Sequence, residues 1–337
     1  MVFKQALEQV LAGKDLSHAD MLLLMQQVMC GEVTPVQIAG LVIALRQKGE
    51  SVDEITAAAE VMRELSTKVE ITDKAYLIDT CGTGGDGIQT FNVSTVSAIV
   101  AAAAGARVAK HGGRSVSSTC GSADVLEALG VNVNLTPQQV AKCINEIGIG
   151  FMFAPNHHSA MKHAAPVRRE LGVRTIFNLL GPLTNPANAK HQVMGVFNKE
   201  LTLKLAKVLQ NLGSEHVLVV HGMDGLDEIS LTGDTFVAEL KDGKINEYKL
   251  NPTQFGLKTH QLKDIQVQNV EQSKAMIMDV LTGKKGAARD IVLLNAGAAI
   301  YVAGLQASIH AGIEHAAQVI DNGSAKQKLD ELVRVLT

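Results

Sequence analysis

Short apolar segments that each run into a polar loop are the feature that most constrains the fold of this chain. Five such segments lie at residues 76–80, 106–110, 150–154, 192–197 and 217–221, and each precedes a loop rich in glycine, asparagine, serine or histidine. Their alternation with helical patterns predicts an α/β sheet with crossover connections. Ligands bind at the carboxyl ends of the strands in open α/β sheets, so we expect these loops to form a ligand site.

Further along the chain, two segments predict an antiparallel addition to this sheet. Residues 235–240 and 245–250 flank Asp242-Gly243, a dipeptide typical of a β-hairpin turn. From Glu271 onwards the pattern returns to helices and includes an alanine-rich segment at residues 296–303. The predicted fold class is therefore α/β, with a mixed and mainly parallel central sheet.

The first 66 or so residues predict four short helices, because apolar residues recur there at helical spacing. Helix-capping signals agree with this: Ser17 lies three residues before Asp20, Thr34 precedes Pro35, and Ser51 precedes an acidic pair. The pattern changes between residues 67 and 75. We therefore predict a small helical domain at residues 1–70 and a larger α/β domain at residues 71–337.

Charge and cysteine usage exclude several classes of protein. The 31 lysines and arginines against 34 aspartates and glutamates give a net charge of −3, which argues against a protein that coats nucleic acid or anionic membrane. The sequence shows no apolar run near the roughly 18 residues that span a bilayer, and no signal peptide. The four cysteines form no CxxC pair. We expect a cytoplasmic protein that binds neither nucleic acid nor membrane.

The most distinctive loop runs from Asp79 to Gly87 and leads into a helix that starts near Asn92. It contains G-x-G-x-x-G, but a dinucleotide site needs the helix to open directly on the last glycine and an acidic residue about 20 positions later. Positions 105–107 are Gly, Ala and Arg. A backbone that approaches an anion closely, followed by a free helix start, favours phosphate. A tight turn with a helix cap is the alternative.

A second loop, from Lys110 to Ser118, combines two cations, a histidine, two glycines and three hydroxyls after an apolar strand. Gly121-Ser122 then opens another helix. Together with the first loop, this composition suits a polyanion such as pyrophosphate. Such a ligand normally brings Mg²⁺, which binds one or two carboxylates and several waters. Asp227-Glu228, at the end of a strand, is the candidate pair, with a solvated loop as the alternative.

A third stretch, residues 153–175, is rich in histidine and arginine. Its histidines lack the spacing of a zinc site, and core or capping histidines remain an alternative. An arginine in this stretch could instead grip a carboxylate through two parallel hydrogen bonds.

These motifs resemble those of the anthranilate phosphoribosyltransferases, in order and over almost the whole chain. The matching segments are Gly82 to Asp86 with Thr90 to Thr95, Lys110 to Ser118 with Gly121-Ser122, Asn156 to His158, Arg168 to Thr175, Asn178 to Pro186 and Asp227-Glu228. The resemblance implies a helical domain completed by a middle segment near residues 160–185, and a homodimer joined through that domain. It also implies transfer of phosphoribose from phosphoribosyl pyrophosphate to anthranilate, in tryptophan biosynthesis.

The same resemblance implies residue roles, and none of them is a covalent nucleophile or a general base. Phosphoribosyl pyrophosphate would be held by Gly82, Gly85, Asp86, Thr90, Asn92, Val93, Ser94, Thr95, Lys110, His111, Gly112, Gly113, Arg114, Ser115, Val116, Ser117, Ser118 and Ser122. Two magnesium ions would be held through Ser94, Asp227 and Glu228. Anthranilate would be bound by Gly82, His111, Gly113, His158, Arg168 and Pro182.

One position departs from the family pattern, which has asparagine after Lys-His-Gly where this chain has Gly113. A direct hydrogen bond to the aromatic substrate is lost there, which leaves the acceptor less secure than the donor. Two alternatives therefore stay open. A pyrimidine nucleoside phosphorylase shares the fold but is longer, and a nucleic-acid-binding relative would have kept the fold without catalysis.

Overall fold

The structure, a computed structural model, describes residues 3–114 and 120–335. The helices are α1 (Phe3–Leu11), α2 (His18–Cys30), α3 (Pro35–Lys48), α4 (Val52–Glu64), α5 (Val93–Ala103), α6 (Ser122–Ala128), α7 (Pro137–Ile147), α8 (Ala154–His157), α9 (Ala165–Leu171), α10 (Phe177–Leu180), α11 (Leu201–Asn211), α12 (Val270–Leu281), α13 (Ala287–Val302), α14 (Ile309–Asp321) and α15 (Ser324–Arg334). The strands are β1 (Leu77–Asp79), β2 (Arg107–Gly112), β3 (Ile149–Phe153), β4 (His191–Gly195), β5 (His216–Gly222), β6 (Thr235–Lys241) and β7 (Lys244–Leu250).

The predicted capping signals begin helices α2 to α4. Ser17 accepts a hydrogen bond from the Asp20 N–H. Thr34 and Ser51 each form a capping box, in which side chain and backbone satisfy one another reciprocally at the helix start. The prediction of four helices in the first 66 residues is confirmed.

The seven strands form one sheet in the order β3-β2-β1-β4-β5-β6-β7. The first five are parallel, and β6 and β7 are added antiparallel, so the predicted mixed and mainly parallel sheet is confirmed. The hairpin turn lies at Asp242 and Gly243, both with positive φ, as a two-residue turn with right-handed strand twist requires. Each of the five predicted parallel strands begins and ends within two residues of the observed strand.

The strand order reverses between β1 and β4, which makes their carboxyl ends the topological switch point of the sheet. At such a point the crossover helices of neighbouring strands leave in opposite directions and open a crevice. The glycine-rich loop follows β1 there. The second loop continues from the neighbouring strand β2, which contains Lys110. The fold thus places the two most distinctive loops of the sequence side by side.

In the described part of the chain, two large apolar cores and a smaller one around α7 cover the faces of this sheet. One large core is built around α5 and the almost completely buried α13. The other large core joins α11 and the sheet to the N-terminal helices, and it includes side chains of α9 and α10 from the middle of the chain. The middle of the chain therefore packs with the helices of the N-terminus rather than with α5. Of the helices described, none combines the length and the apolar character needed to cross a membrane.

Candidate active site

The loop after β1 passes unusually close to the end of β4. A Cβ atom at Gly82 would lie 2.9 Å from the backbone oxygen of Gly195, and one at Gly195 would lie 1.4 Å from the backbone oxygen of Asp227. Both positions therefore require glycine. The loop then turns through Gly84 and Gly85, whose φ angles are positive, and ends at the start of α5.

Helix α5 starts without a side-chain cap, and its amino end faces the loop. The backbone N–H of Ser94 donates to the carboxylate of Glu228. The helix dipole makes this end attractive to negative charge. The helix start that the sequence predicted is present, but its amides are engaged. The Val93 and Thr95 N–H groups donate to the backbone oxygens of Phe91 and Asn92, and a carboxylate of another loop accepts from Ser94.

Lys110 lies buried beneath the two loops, with 3% of its surface exposed. Its Nζ donates to the Thr80 backbone oxygen at 2.9 Å and to the Ser94 Oγ at 3.3 Å. Burial raises the pKa values of Asp79 and Glu228, and the positive charge of Lys110 partly offsets that rise. The ammonium thus links β1, β2 and the start of α5 and supplies the fixed positive charge of the site.

Asp227 and Glu228 follow β5 and converge on the first loop. The Gly84 N–H donates to Asp227. Burial, followed by repulsion from the neighbouring Asp86 carboxylate, raises the pKa of Asp227 to about 7. Burial and the charge of Asp227 also raise the pKa of Glu228 well above its ordinary value. Three crowded carboxyl groups of this kind are stabilised by a bound cation.

The donor set fits a magnesium ion that a phosphate ligand helps to coordinate. Within residues 3–114 and 120–335, histidine, cysteine and acidic side chains nowhere form a cluster of three that could hold a metal alone. Mg²⁺ usually takes one or two carboxylates and completes its shell with water and substrate phosphate. Asp227 and Glu228 provide that number, with Asp86 adjacent.

A buried frame holds the ends of β1 and β2 together. Asp79 accepts a hydrogen bond from the His111 N–H at 3.2 Å and from Asn185 Nδ2 at 2.7 Å. The same Asn185 nitrogen donates to the backbone oxygen of Ala109 at 2.9 Å. Burial raises the pKa of Asp79 to about 6, against the opposing charge of Lys110. Asn185 thereby fixes the middle of the chain to both strands that carry the loops.

Three histidines lie buried beside this frame. His111 Nδ1 lies 3.2 Å from the backbone oxygen of Gly181, and His157 Nδ1 lies 2.9 Å from that of Thr67. Because a carbonyl accepts, these Nδ1 atoms carry the protons. The ring of His158 lies 5.0 Å from that of His111. The Nε2 atoms of His111, His157 and His158 are buried, and no other residue that the structure describes gives them a hydrogen-bond partner.

Burial, together with the neighbouring cations, lowers the pKa of His111 to about 3 and that of His158 to about 4. Both rings are therefore neutral near pH 7. They offer a substrate hydrogen-bonding atoms and apolar surface but no positive charge.

The buried neutral His158 gives a prediction for acid stability. Unfolded His158 takes up a proton below its ordinary pKa of 6.5, whereas the folded side chain does so only near pH 4. The unfolded state therefore binds more protons between these values, and the stability of the protein falls as the pH drops from 6.5 towards 4. In urea unfolding at pH 7 and pH 5, the stability loss of the wild type should exceed that of His158→Asn by up to about 2 kcal/mol.

The exposed His310 provides the control for this measurement, since His310→Asn should keep the wild-type pH dependence. If wild type and His158→Asn lose the same stability between the two pH values, His158 is not buried as a neutral ring.

Arg168 on α9 is the guanidinium best placed to bind a carboxylate. Its Cζ lies 5.8 Å from the centre of the Phe177 ring, and burial lowers its pKa. Across the described residues, no acidic side chain lies within 4.0 Å of it. A half-buried cation without an acidic partner is unfavourable, and a carboxylate ligand would compensate it.

Several other predicted residues are also at the site, but two have their side chains engaged elsewhere. Asn92 donates to the Cys120 backbone oxygen at 3.1 Å and accepts from Ser273 Oγ at 2.7 Å. Arg114 is half-exposed and makes ion pairs with Asp124 and Glu127 on α6. In this conformation neither side chain points freely at a phosphate. Binding through Arg114 requires it to exchange these partners.

The remaining predicted residues line the same region or lie outside the described part. Gly112 packs tightly against Phe151 and Ser122, whereas a Cβ at Gly113 would meet no atom within 4 Å. Pro182 is buried, and its backbone oxygen accepts a hydrogen bond from Gln192 Nε2 at 2.8 Å. Ser115, Val116, Ser117 and Ser118 lie outside the described residues.

Sequence reasoning assigned no role to three residues that build the site. Asn185 and Gln192 connect the middle segment to β1, β2 and the first loop, since Gln192 Nε2 also lies 3.3 Å from the backbone oxygen of Cys81. Gly195 admits the backbone of Asp227. A buried-strand position with an amide side chain, as at Gln192, is the one signal in the sequence that could have revealed such a contact.

Comparison with known proteins places the chain among phosphoribosyltransferases. A model of the glycosyl transferase family α/β domain matches residues 74–326, and a model of the helical bundle domain of that family matches residues 4–66. The anthranilate phosphoribosyltransferase of Methylobacillus flagellatus is 62% identical over 332 residues, which cover 98% of this chain and 97% of that relative.

Solved structures agree with the sequence comparison. The anthranilate phosphoribosyltransferase of Thermus thermophilus has a TM-score of 0.92 and 44% identity, and the match covers 97% of this chain and 98% of that one. The Saccharomyces cerevisiae enzyme, solved in complex with phosphoribosyl pyrophosphate and Mg, has a TM-score of 0.88 and 28% identity. That match covers 99% of this chain and 98% of the yeast chain.

Proposed function

Because this chain belongs to the anthranilate phosphoribosyltransferases, we propose that the loops after β1 and β2 bind its donor and that His111, His158 and Arg168 border its acceptor site. The enzyme transfers the phosphoribosyl group of 5-phosphoribosyl 1-pyrophosphate to the amine of anthranilate and gives N-(5-phosphoribosyl)anthranilate and pyrophosphate. This pentosyl transfer belongs to tryptophan biosynthesis. The alternatives of a nucleoside phosphorylase and a nucleic-acid-binding relative are set aside.

The donor proposal is supported chiefly by one observation, the convergence of Lys110, the start of α5 and the carboxylate pair at the switch point. Lys110 and the α5 dipole attract the phosphates, and the glycines between β1 and α5 let the backbone come close to them. The other proposed donor residues are Asp86, Thr90, Asn92, Val93, Thr95, Gly112, Gly113, Arg114 and Ser122, together with Ser115 to Ser118.

Magnesium is the cofactor, and we propose that Ser94, Asp227 and Glu228 hold two ions. The hydroxyl of Ser94 and the carboxylate pair are separate ligand groups, and a pyrophosphate offers oxygens to both. Bound magnesium supplies neutralisation of the negative charge that the departing pyrophosphate carries.

The acceptor proposal depends on charge. Arg168 is a half-buried cation without an acidic partner in the described chain, and the carboxylate of anthranilate would supply that partner. His111 and His158 are neutral, and their Nε2 atoms have no hydrogen-bond partner among the described residues; we propose that, with Pro182, they border the polar aromatic ligand. We propose that Gly82, in the loop after β1, and Gly113, in the loop after β2, also border the acceptor.

In the reaction, the amine nitrogen forms a bond to the anomeric carbon while the bond from that carbon to the pyrophosphate oxygen breaks, with inversion. The neutral aromatic amine already carries the electron pair for attack, and it loses a proton once the new bond has formed. The protein positions the reactants and stabilises charge on the leaving group, which Lys110 contributes to directly. We assign no covalent residue and no general base.

The experiment that tests this function follows the fluorescence of anthranilate over time with phosphoribosyl pyrophosphate and Mg²⁺. The absence of tryptophan from the chain keeps the protein background low. A loss of signal that depends on both donor and metal is expected. Release of pyrophosphate with another amine, but none with millimolar anthranilate, would contradict anthranilate as the acceptor.

Gly113→Asn should bind anthranilate more tightly than the wild type. Among the described residues, no atom lies within 4 Å of a Cβ at this position, and the φ angle of Gly113 is not in the positive range, so the backbone accepts a side chain without strain. The new amide would supply one hydrogen bond to the acceptor, worth roughly 1 kcal/mol. We expect the KM for anthranilate to fall about 3- to 10-fold in steady-state assays.

Gly256→Asn, in a distant turn, is the control for nonspecific effects, and because the φ of Gly256 is positive it should change stability rather than KM. An unchanged KM in folded Gly113→Asn would place this position away from the acceptor.

We propose that the chain forms a homodimer through its helical domain, residues 1–70 completed by residues 160–185, and that residues 71–337 form the second domain. Helix α3 presents an apolar stripe to solvent, with Val36 at 82% and Ile43 at 39% exposure and Gly40 between them. A second copy would cover this stripe. A sedimentation mass equal to the 35.8 kDa of one chain would contradict the dimer.

We propose a cytoplasmic location, in keeping with a biosynthetic enzyme.

A further inference from the structure

A small cavity lies beside the carboxylate pair, between α5, α13 and the ends of β1 and β4. Its polar lining residues are Thr80, Ser94, Ser97, Asp227, Glu228 and Asn295, so it adjoins the proposed magnesium ligands. The space open to the centre of a water molecule is about 10 Å³, which is the size of a site for a single water. Its lining is polar enough to give such a water several partners.

The hydroxyl of Ser97 has no hydrogen-bond partner in this structure, although the residue is only 1% exposed. It lies one turn after Ser94 on α5, and its neighbours Val96 and Ala98 are completely buried. An unpaired hydroxyl in such a place costs about 1–3 kcal/mol. A water in the cavity would remove that cost, because Ser97 lines the cavity.

Asn295 forms the opposite wall and has all its amide groups engaged. Its Oδ1 accepts from the Ile229 N–H at 2.9 Å, and its Nδ2 donates to the backbone oxygens of Ile229 at 3.0 Å and Ile291 at 2.9 Å. These bonds fix the backbone directly after Glu228 to the buried helix α13. The side chain of Glu228, by contrast, has the Ser94 N–H as its hydrogen-bond donor among the described residues, on the side of α5, and the nearby charge of Lys110.

We propose that the cavity holds one ordered water molecule, bound by Ser97 and donating to Glu228, so that Ser97 and Asn295 act as positioning residues for the metal-binding carboxylates. Asn295 fixes the position of the backbone directly after Glu228. The water bound to Ser97 orients the Glu228 side chain. Groups that orient metal ligands in this way typically change metal affinity 10- to 100-fold when they are lost. The inference rests on the proposed role of Glu228 as a magnesium ligand.

Crystal structures of the wild type and of Ser97→Ala test the water directly. A water within hydrogen-bond distance of Ser97 Oγ is expected in the wild type and is expected to be absent from the variant. Alanine favours a helix more than serine does, so Ser97→Ala should fold. An empty cavity in the wild type would overturn the proposal.

The second test measures binding of Mn²⁺ by electron paramagnetic resonance, with inorganic pyrophosphate present. The Kd for Mn²⁺ should rise roughly 10-fold in Ser97→Ala. The Mg²⁺ concentration for half-maximal activity should rise by a similar factor, with kcat at saturating Mg²⁺ within about 3-fold of the wild type. Asn295→Leu, which is similar in size, adds no charge and loses all three amide hydrogen bonds, should weaken Mn²⁺ binding as well.

Thr56→Val is the matched control, because Thr56 is also a buried helix hydroxyl but lies on α4 and donates to the backbone oxygen of Val52. It should leave the Kd for Mn²⁺ unchanged. An unchanged Kd in Ser97→Ala would overturn the positioning role. The crystal structures and the Kd for Mn²⁺ are obtained without turnover. A wild type that fails to use anthranilate would refute the proposed function, and these two measurements would still test the water and the positioning role.

Discussion

Replacing Asp227 by Asn and Glu228 by Gln together is expected to lower kcat/KM for phosphoribosyl pyrophosphate about 10³-fold, because the metal that neutralises the leaving group loses its protein ligands. The same change is expected to stabilise the ligand-free protein. Burial and the Asp86 charge raise the pKa of Asp227, so the ionised carboxylates oppose folding, and amides of the same shape do not. The melting temperature should rise by about 1–4 °C.

Steady-state kinetics and thermal unfolding, both at pH 8, measure these two opposite changes. The adjacent pair Asp330 and Glu331 provides a control of the same chemistry, since these carboxylates lie on the surface of α15 and pair with Lys326 and Lys328. Their replacement by Asn and Gln should leave kcat/KM unchanged. A loss of activity below 10-fold at Asp227 and Glu228 would move the magnesium site elsewhere.

Arg168→Leu is expected to raise the KM for anthranilate about 10²-fold, which corresponds to about 3 kcal/mol for losing the partner of a buried carboxylate. Because leucine removes an unpaired cation from a half-buried position, the ligand-free variant should be at least as stable as the wild type. The KM for phosphoribosyl pyrophosphate should stay within about 2-fold, since the proposed place of Arg168 is at the acceptor site and not at the donor site.

An acceptor without a carboxylate separates this role from general damage. Turnover of aniline, measured by pyrophosphate release, should be the same in wild type and Arg168→Leu. The neighbouring Arg169 is exposed and serves as the control, because Arg169→Leu should keep the KM for anthranilate. Equal losses with anthranilate and aniline would show that Arg168 supports the fold of the segment rather than the carboxylate.

These two effects come from the same physical situation. Asp227 and Glu228 form a half-buried excess of negative charge, and Arg168 is a half-buried positive charge with no acidic partner in the described residues. Each is unfavourable in the free protein and becomes favourable only with a ligand of the opposite charge. The binding site therefore reduces the stability of the free enzyme, and its loss increases stability while it removes activity.

Local signals predicted much of the architecture. Caps at Ser17, Thr34 and Ser51 and the hairpin turn at Asp242-Gly243 act within a few residues, so their effect can be read along the chain. The strands were found because each buried apolar run ends in a loop of different composition. The prediction of an anion site after β1 depended on glycine and a free helix start, which are also local features.

The side-chain partners of Asn92 and Arg114 could not be predicted from the sequence. Both have side chains suited to phosphate, but Asn92 is engaged with Ser273, 181 positions away, and Arg114 with carboxylates of α6. The sequence shows which groups a side chain carries and not which partners reach it first. The paired roles of Ser97 and Asn295 had no signal in the sequence for the same reason.

The sequence by itself determined the two kinds of domain, the mixed sheet and the chemistry of the loops, because helix caps, turns and apolar periodicity depend on residues that are neighbours in the chain. Only the tertiary structure decided which charges meet. Asp79 and Asn185 are 106 positions apart, and Lys110 reaches Thr80 across 30. Strand order and crossover direction bring them together, and burial then sets the neutral state of His111 and His158 and the raised pKa of Asp227.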